Sequence, residues 1–302
     1  MSSPKAWINA ARLRTLPLSV SGILVGTALA GMYGAIDYLV FTLAVCTTIG
    51  FQVTSNFAND YGDGVKGTDN DNRIGPVRAL QSGLLTRKVL KKGVIVSVVI
   101  NIFLVIALLY AAFGSQNLLF SFLFLALGGL SIWAAINYTV GAKAYGYSGF
   151  GDIFVFVFFG LVGVLGSMFL YIKTIPLLTV LPAISVGLLS VGVLNLNNLR
   201  DIESDRQAGK NTVVVQMGFE RGKDYHSILL LVSFFCMSVF VFFDYRNFSQ
   251  LSCFIAFVPI FLHLKFVRKT TSARVLDPEL KKLALSTFLM AVLFYFSYLY
   301  FL

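Results

Sequence analysis

Two clusters of amide and carboxylate side chains could do chemistry, and each one closes a long apolar segment. The first cluster contains Asn59, Asp60 and Asp63, and the second contains Asp201 and Asp205. Ionisable groups at the edge of a membrane-spanning segment are costly, and they mark functional sites by default. Mg²⁺ prefers carboxylate oxygens and commonly bridges a protein to phosphates, so the two clusters predict one shared magnesium site.

Helical spacing would place each cluster on a single face, provided that the helix continues through it. The face predicted for the first cluster contains Asn56, Asn59, Asp60 and Asp63. The face predicted for the second cluster contains Asn197, Asn198, Asp201 and Asp205. Glu203 lies two residues from both aspartates of the second cluster and therefore points elsewhere. A solvated acidic cap could explain one cluster alone, but it explains neither the amides nor the repetition.

Basic side chains follow both clusters, and a complex of Mg²⁺ with a diphosphate needs acids and bases together. Arg73 and Arg78 could clamp phosphate oxygens with the planar guanidinium fork, although each alone could equally be a positive-inside residue. The glycine- and tyrosine-rich connection 137–152 carries Lys143, which could close over an anionic ligand. Tyrosine is also common at membrane interfaces, so that connection has two interpretations. The further candidates for binding substrate are Lys66, Tyr138, Arg206 and Lys210.

The composition identifies the class of protein. The chain has 302 residues, of which 57% are hydrophobic and 13% are charged, and its mean hydropathy is +0.80. No soluble core needs that much apolar surface, so the sequence predicts a polytopic membrane protein with one domain, residues 1–302. The three cysteines lie in apolar segments, which argues against a disulfide framework or a thiolate metal site. His226 and His263 are each predicted to be membrane-edge residues rather than ligands.

Nine apolar segments are each close to the roughly 20 residues that a helix needs to cross a bilayer. They are predicted at about 16–36, 38–58, 94–113, 118–137, 153–172, 175–196, 228–243, 248–266 and 283–302. Residues 4–15 carry Trp7, Arg12 and Arg14 among small and apolar residues, which fits a short interfacial helix that leads into the bilayer. The predicted fold is therefore all-α, with nine transmembrane helices.

The distribution of charge predicts the orientation. With a cytoplasmic N-terminus, all of the 24 lysines and arginines except Lys173 and Arg246 lie on the cytoplasmic side. This positive-inside pattern explains the net charge of +10 without nucleic acid as a partner, and it could attract anionic lipids or an anionic substrate. The long polar connections on that side are 59–93, 138–152, 197–227 and 267–282. We therefore expect a multi-pass protein of the cytoplasmic membrane, with its chemistry on the cytoplasmic face.

The two clusters also indicate an internal duplication. The first cluster follows span two and the second follows span six, so spans one to four and spans five to eight would form parallel repeats. Many transporters instead carry inverted repeats with broken helices at the bilayer midplane, whereas the acidic clusters here lie at helix ends. A cation-coupled transporter of an anionic solute is therefore the more distant functional alternative.

Four cytoplasmic motifs together resemble those of the UbiA-type intramembrane prenyltransferases, and the resemblance extends from about residue 5 to the C-terminus. The motifs are Asn59-Asp60-Tyr61-Gly62-Asp63, Gly75-Pro76-Val77-Arg78, the Lys143 loop and Asn198-Leu199-Arg200-Asp201-Ile202-Glu203-Ser204-Asp205. Within this family the chain is similar to the branch that acts on 1,4-dihydroxy-2-naphthoate in menaquinone biosynthesis. In the wider superfamily the first motif ends in a further aspartate. Here Gly67 occupies that position, as is common in the naphthoate branch, and the nearest acid is Asp69.

The resemblance implies a nine-helix bundle around a central cavity that is open to lipid. Two Mg²⁺ ions would bind the diphosphate of a polyprenyl donor there. The ligands implied are Asp60, Asp63, Asp201, Asp205 and Asn59, with Asp69 as an alternative. The residues expected to take part in catalysis are Asp60, Asp63, Asp201, Asp205 and Lys143.

The resemblance also implies the reaction. An electron-rich naphthoate carbon would attack the carbocation formed from the donor, and loss of CO₂ would give demethylmenaquinone. Aromatic faces can stabilise such a cation, and a dry cavity delays its capture by water. A sister enzyme with 4-hydroxybenzoate or homogentisate as acceptor, or with a phytyl donor, would carry the same diphosphate motifs and is the nearest alternative.

Overall fold

The computed structural model describes residues 3–67, 74–141 and 144–300. Within these ranges the chain forms helices and no strand, and nine helical segments are long and apolar enough to cross a membrane. The predictions of an all-α fold and of nine spanning helices are confirmed. The cytoplasmic placement of the N-terminus and the parallel duplication stay predictions.

The described residues up to position 141 form five α-helices. They are α1 (Pro4–Ala11), α2 (Leu16–Gly31), α3 (Tyr38–Lys66), α4 (Arg87–Phe113) and α5 (Leu118–Asn137). Arg12, with a left-handed φ of 50°, separates α1 from a short 3₁₀ turn, Leu13–Thr15, that leads into α2. The short helix expected before the first span is therefore present.

The C-terminal part begins with a 3₁₀ turn, Tyr145–Tyr147, and a span of mixed helix type. That span combines α6 (Gly151–Val155), a π-helix (Phe156–Gly166) and α7 (Ser167–Ile172). The α-helices that follow are α8 (Val180–Arg200), α9 (Ile202–Gln207), α10 (Val213–Met217), α11 (Phe219–Phe243), α12 (Phe257–Lys269) and α13 (Asp277–Leu299). Three further 3₁₀ segments precede α8, α12 and α13 at Leu177–Thr179, Phe248–Ala256 and Ala273–Leu276.

Helix α3 continues beyond its apolar part, and both of its ends are capped. The Asp37 side chain accepts hydrogen bonds from two backbone N–H groups of the first turn, at 2.7 and 3.1 Å. At the other end Gly67 adopts a left-handed φ of 74°, a conformation that glycine tolerates and that ends the helix. Helix α3 therefore continues about two turns past the predicted end of the span, and this extension carries the first cluster.

Small residues let α2 and α8 approach the π-helix closely. A Cβ at Gly160 would lie 2.7 Å from the Cα of Gly187, and a Cβ at Gly22 would lie 2.8 Å from the carbonyl oxygen of Phe159. π-Helical turns are rare and occur frequently at functional sites. Here the π-helix contributes Phe159 to the wall of the cavities described below.

A buried histidine pair joins α11, α12 and α13. His226 Nε2 lies 2.9 Å from His263 Nε2, and His263 Nδ1 lies 2.6 Å from Oε2 of Glu279. The two histidines are 0% and 3% exposed and contact each other, so the prediction of two separate residues is wrong. Their placement at the membrane edge stays a prediction. The contact joins residues 37 positions apart on different helices, and no local sequence pattern reveals it.

Candidate active site

The first cluster lies on the last two turns of α3, on one face of the helix, as its spacing predicts. Asn59, Asp60 and Asp63 line a cavity of about 520 Å³, to which α1, α8, α13 and several connecting segments also contribute. Asp60 and Asp63 are 1% and 3% exposed, so bulk water has little access to either carboxylate. Carboxylates buried to this degree require compensating partners.

Asp63 is held from two sides. Nη1 of Arg78 donates to its Oδ2 at 2.7 Å, and the hydroxyl of Tyr147 donates to its Oδ1 at 2.9 Å. The same Arg78 nitrogen also donates to the carbonyl oxygen of Asn59 at 3.0 Å. Arg78 lines the cavity, so the arginine proposed as a phosphate clamp lies where a phosphate could reach it.

Asp60 has a buried carboxylate oxygen, Oδ1, without a hydrogen-bond partner among the described residues. Asp60 and Asp63 lie one helical turn apart on the same wall, and Mg²⁺ usually takes one or two protein carboxylates, several waters and substrate phosphates. In the described ranges no three His, Cys, Asp or Glu side chains are grouped to hold a metal. The donor set therefore fits Mg²⁺ bound jointly with a phosphate ligand, rather than in a cage made by protein alone.

Two side chains of the second cluster, Asp201 and Asn197, contact Arg200, which is buried at the end of α8. Its Nε and Nη2 donate to the two carboxylate oxygens of Asp201 at 2.8 and 2.6 Å, and Nη2 also donates to Oδ1 of Asn197 at 2.8 Å. Nη1 donates to Oδ1 of Asp277, on the first residue of α13, at 2.6 Å. A paired geometry of this kind compensates the buried charge of Asp201. The assignment of Asp201 as a metal ligand stays a prediction.

Asp205 and Lys210 form the part of the second cluster that is electrostatically coupled to the first. Lys210 Nζ lies 3.7 Å from Oδ1 of Asp205, and both side chains are buried. Burial lowers the pKa of Lys210, but Asp205 and Asp63 outweigh it and raise the pKa above the ordinary 10.5. Lys210 lines the same cavity as Asp63. From the second motif, Asn197 and Arg200 line this cavity, whereas Asp201 and Asp205 do not. Lys210, which stays protonated, is the cation that couples Asp205 to Asp63.

Two of the predicted amides lie behind the wall rather than in it. Nδ2 of Asn56 donates to the carbonyl oxygen of Ala11 at 2.8 Å, which ties α3 to α1. Asn198 is 3% exposed and its Oδ1 accepts no hydrogen bond from the described residues. Asn56 and Asn198 therefore lie outside the cavity, whereas Asn59 and Asn197 line it.

The remaining predicted residues divide between the surface and the undescribed positions. Arg206 is half exposed and pairs with Glu203 at 3.0 Å, away from the cavity, so Glu203 does point elsewhere. Lys66 is exposed, and its Nζ lies 3.9 Å from the ring centre of Tyr147. Three candidates lie outside the described residues, namely Asp69, Arg73 and Lys143.

A second cavity, of about 340 Å³ and mostly apolar, adjoins the first. Its walls come from α2, α3, α4, α5 and the π-helix. Burial raises the pKa of Tyr138, which lines both cavities, so its phenol stays neutral at the boundary between them. The residues common to both cavities are Gln52, Asn59, Tyr138, Val155, Phe159 and Leu194. The two cavities therefore share a wall, which places a charged cavity beside an apolar one.

Sequence reasoning missed several charged residues at this site. Arg12 and Arg14, which the sequence assigns to an interfacial helix, line the cavity, as does Lys281 near the start of α13. The sequence could have revealed the role of Arg200, because an arginine directly before Asp201 at the end of an apolar helix needs an acidic partner. The sequence could not have revealed Asp277 as a partner of Arg200, because 77 residues separate the two.

Comparison with known proteins finds relatives over most of the chain. The profile of the UbiA prenyltransferase family matches residues 19–289. The 1,4-dihydroxy-2-naphthoate octaprenyltransferase of Escherichia coli (strain K12) is 47% identical over 248 residues, which cover 82% of this chain and 80% of that protein. The protein of the same name from Haemophilus influenzae is 43% identical over 293 residues, which cover 96% of this chain and 94% of that protein.

A solved structure has the same fold. The structure of a UbiA homolog from Archaeoglobus fulgidus, bound to DMAPP and Mg²⁺, matches with a TM-score of 0.67 and 15% sequence identity. The match covers 98% of this chain and 99% of that one. The family profile spans most of the sequence, and the charged cavity lies at the two aspartate motifs. The chain belongs to the UbiA prenyltransferase family.

Proposed function

We propose that this protein transfers a polyprenyl group from a polyprenyl diphosphate to 1,4-dihydroxy-2-naphthoate, with release of diphosphate and CO₂ and formation of demethylmenaquinol, the reduced form of demethylmenaquinone. The observation that carries the proposal is the pair of adjoining cavities, one lined by carboxylates and cations and the other mostly apolar. A prenyl diphosphate has a charged head, a long apolar tail and its reacting carbon at their junction. The names of two relatives at 47% and 43% identity support the choice of acceptor.

The charged head of the donor binds in the polar cavity. Arg78 and Lys210 donate charge-assisted hydrogen bonds to its phosphate oxygens, and Asn59 adds a neutral contact. Asp60 and Asp63 hold Mg²⁺, which when bound supplies positive charge that stabilises the departing diphosphate. Asp201 and Asp205 are the proposed ligands on the side of the second motif, and the number of ions is proposed to be two.

The apolar cavity holds the first part of the tail and keeps water from the reacting carbon. When the allylic C–O bond breaks, its electron pair leaves with the diphosphate and positive charge develops on the prenyl carbon. Tyr138 and Phe159, which line both cavities, offer aromatic faces at that junction. Exclusion of water slows capture of the cation by hydroxide or water, which would waste the donor.

The acceptor attacks through the ring carbon that carries its carboxyl group. A C–C bond forms between that carbon and the prenyl carbon, and CO₂ leaves while the electrons of the broken C–C bond return to the ring. The acceptor's carboxylate needs a cation until it is lost. Lys143 is the proposed partner from the sequence, and Arg14 and Lys281 are cations that line the cavity. We propose that this site faces the cytoplasm, on the side given by the positive-inside pattern.

The experiment is a turnover assay of the purified protein in detergent, with octaprenyl diphosphate, 1,4-dihydroxy-2-naphthoate and Mg²⁺. We expect one diphosphate and one CO₂ for each prenylated product, loss of turnover in chelator, and recovery when Mg²⁺ is restored. Turnover that is indifferent to chelator would contradict the magnesium assignment. Folded protein that releases no diphosphate with any aromatic acceptor would contradict the enzyme assignment and favour a carrier.

A further inference from the structure

Tyr147 lies where α3, which carries the first cluster, meets the segment that follows α9. It is the last residue of the 3₁₀ turn Tyr145–Tyr147, which precedes the fifth span. Its hydroxyl contacts α3, its ring lies beside two lysines, and its carbonyl contacts the segment that follows α9. Neither cluster motif contains this residue, and the chemistry proposed above does not use it.

The hydroxyl of Tyr147 orients the carboxylate of Asp63. It donates to Oδ1 at 2.9 Å, while Nη1 of Arg78 donates to Oδ2 at 2.7 Å. An ionised carboxylate has about four lone-pair sites, so these two bonds leave about one on each oxygen. With both oxygens engaged from outside, the plane of the carboxylate is fixed and its remaining lone pairs keep one direction.

The ring of Tyr147 lies beside one ammonium from each half of the site. Lys66 Nζ, at the end of α3, lies 3.9 Å from the ring centre, and Lys210 Nζ, after α9, lies 5.7 Å from it. An ammonium over an aromatic face within about 6 Å is attracted by the ring quadrupole. The ring therefore draws together two cations that would otherwise repel each other and that come from different motifs.

The backbone holds this side chain in place. The N–H of Asn211 donates to the carbonyl oxygen of Tyr147 at 2.9 Å. Two residues on, Gly149 has a φ of 81°, and a Cβ there would lie 2.9 Å from Nε2 of Gln216. The turn is thus packed against the segment after α9, so backbone contacts as well as the side chain fix the position of Tyr147.

We propose that Tyr147 is a positioning residue that couples the two aspartate motifs, by aligning Asp63 for a divalent cation and holding Lys66 and Lys210 for the diphosphate. The inference rests on the proposed function for the identity of the ligand. It makes a separate claim about the protein itself, because Tyr147 acts on metal and donor affinity through Asp63. Removal of the hydroxyl alone should therefore weaken both affinities while the fold is kept.

The experiment compares Tyr147→Phe, which removes only the hydroxyl, with Tyr147→Leu, which also removes the ring. Tyr225→Phe is the matched control, since the Tyr225 hydroxyl donates to Oδ2 of Asp152 at 3.0 Å and lines neither cavity. Binding of Mn²⁺ in the presence of a non-hydrolysable prenyl diphosphate analogue is measured by electron paramagnetic resonance. Binding of the analogue is measured by calorimetry, and thermal unfolding reports the fold.

We expect Tyr147→Phe to weaken Mn²⁺ and analogue binding by about ten-fold, the scale of one hydrogen bond to a charged group. Tyr147→Leu should weaken analogue binding about two- to five-fold further, because the aromatic face is lost. Tyr225→Phe should bind both ligands like the parent protein. In an Asp63→Asn background, Tyr147→Phe should have almost no further effect, because its action passes through that carboxylate.

Two results would overturn the proposal. One is wild-type affinity for Mn²⁺ and analogue in Tyr147→Phe. The other is a loss of equal size in the Asp63→Asn background, which would mean that Tyr147 acts by another route. These readouts are independent of turnover with any acceptor, so a wrong acceptor in the proposed function would leave them interpretable. A parent protein that binds neither probe would overturn the proposed function as well.

Discussion

Replacement of Arg200 by methionine tests how the second cluster is held together. The change removes a guanidinium that is only 2% exposed and leaves the Asp201 carboxylate, 4% exposed, without its two charge-assisted hydrogen bonds. The bond that ties Asp277 at the start of α13 to the end of α8 is lost as well. Removing one partner of a buried ion pair typically costs about 3–5 kcal/mol, because the other charge stays buried and uncompensated. We expect a loss of this size in the free energy of unfolding.

The chain supplies a matched control six residues away. Arg206→Met removes an ion pair of the same kind with Glu203, but both side chains are exposed, 52% and 69%. Exposed pairs contribute roughly 0–1 kcal/mol, so this variant should unfold like the parent protein. Unfolding is followed in mixed micelles by denaturing detergent, with chelator present so that no divalent cation compensates Asp201.

A third variant separates lost packing from uncompensated charge. Arg200→Met combined with Asp201→Asn removes both charges of the buried pair and should recover part of the stability lost in the single variant. The reasoning would be refuted if Arg200→Met and Arg206→Met had equal effects. It would also be refuted if the double variant were less stable than Arg200→Met by the full cost of a second independent loss.

The remaining predictions concern the site, its charge and its orientation. Asp60→Asn should reduce turnover by orders of magnitude, because a proposed magnesium ligand is lost, whereas Glu203→Gln should have a mild effect. Equal losses of turnover in the two variants would contradict the proposed site. The pKa of Lys210 is raised above 10.5, so its stabilising contribution is complete below that pH and is lost only as pH rises through the folded value. The destabilisation caused by Lys210→Met should therefore be constant from pH 7 to 9 in unfolding titrations, and a steep decline across that range would contradict the shift. A cysteine at Lys269 should react with an impermeant thiol reagent only from the cytoplasmic side and one at Arg246 only from outside, and the reverse pattern would overturn the orientation.

The elements of the fold could be predicted from local sequence because lipid leaves few choices. A spanning segment must satisfy its own backbone groups, so apolar length alone identifies the nine spanning helices found in the described part of the chain. The first cluster was predictable for the same reason, since the spacing of Asn59, Asp60 and Asp63 is a property of the helix itself. The sequence alone did not decide whether α3 continues to Lys66, because the carboxylates could equally belong to a cap that ends the helix.

Contacts between helices distant in sequence could not be predicted in this way. His226 and His263 are 37 residues apart, and each alone has the composition of a membrane-edge position. The partner of Arg200 on α13 and the hydroxyl that reaches Asp63 from the turn at Tyr147 depend on how helices pack, which a single sequence does not encode locally. The position of Asn56 outside the cavity has the same cause, because α1 packs against α3 and accepts a hydrogen bond from the Asn56 amide.

The central claim is that the adjoining polar and apolar cavities carry out prenyl transfer to a naphthoate. It is tested most directly by a competition assay, in which the purified protein, Mg²⁺ and octaprenyl diphosphate meet equal amounts of 1,4-dihydroxy-2-naphthoate, 4-hydroxybenzoate and homogentisate. The product mass identifies which acceptor has been used and whether its carboxyl group is lost. We predict a single major product, the octaprenylated naphthol without its carboxyl group. A product built on either of the other acceptors, or a naphthoate product that keeps its carboxyl group, would contradict the account.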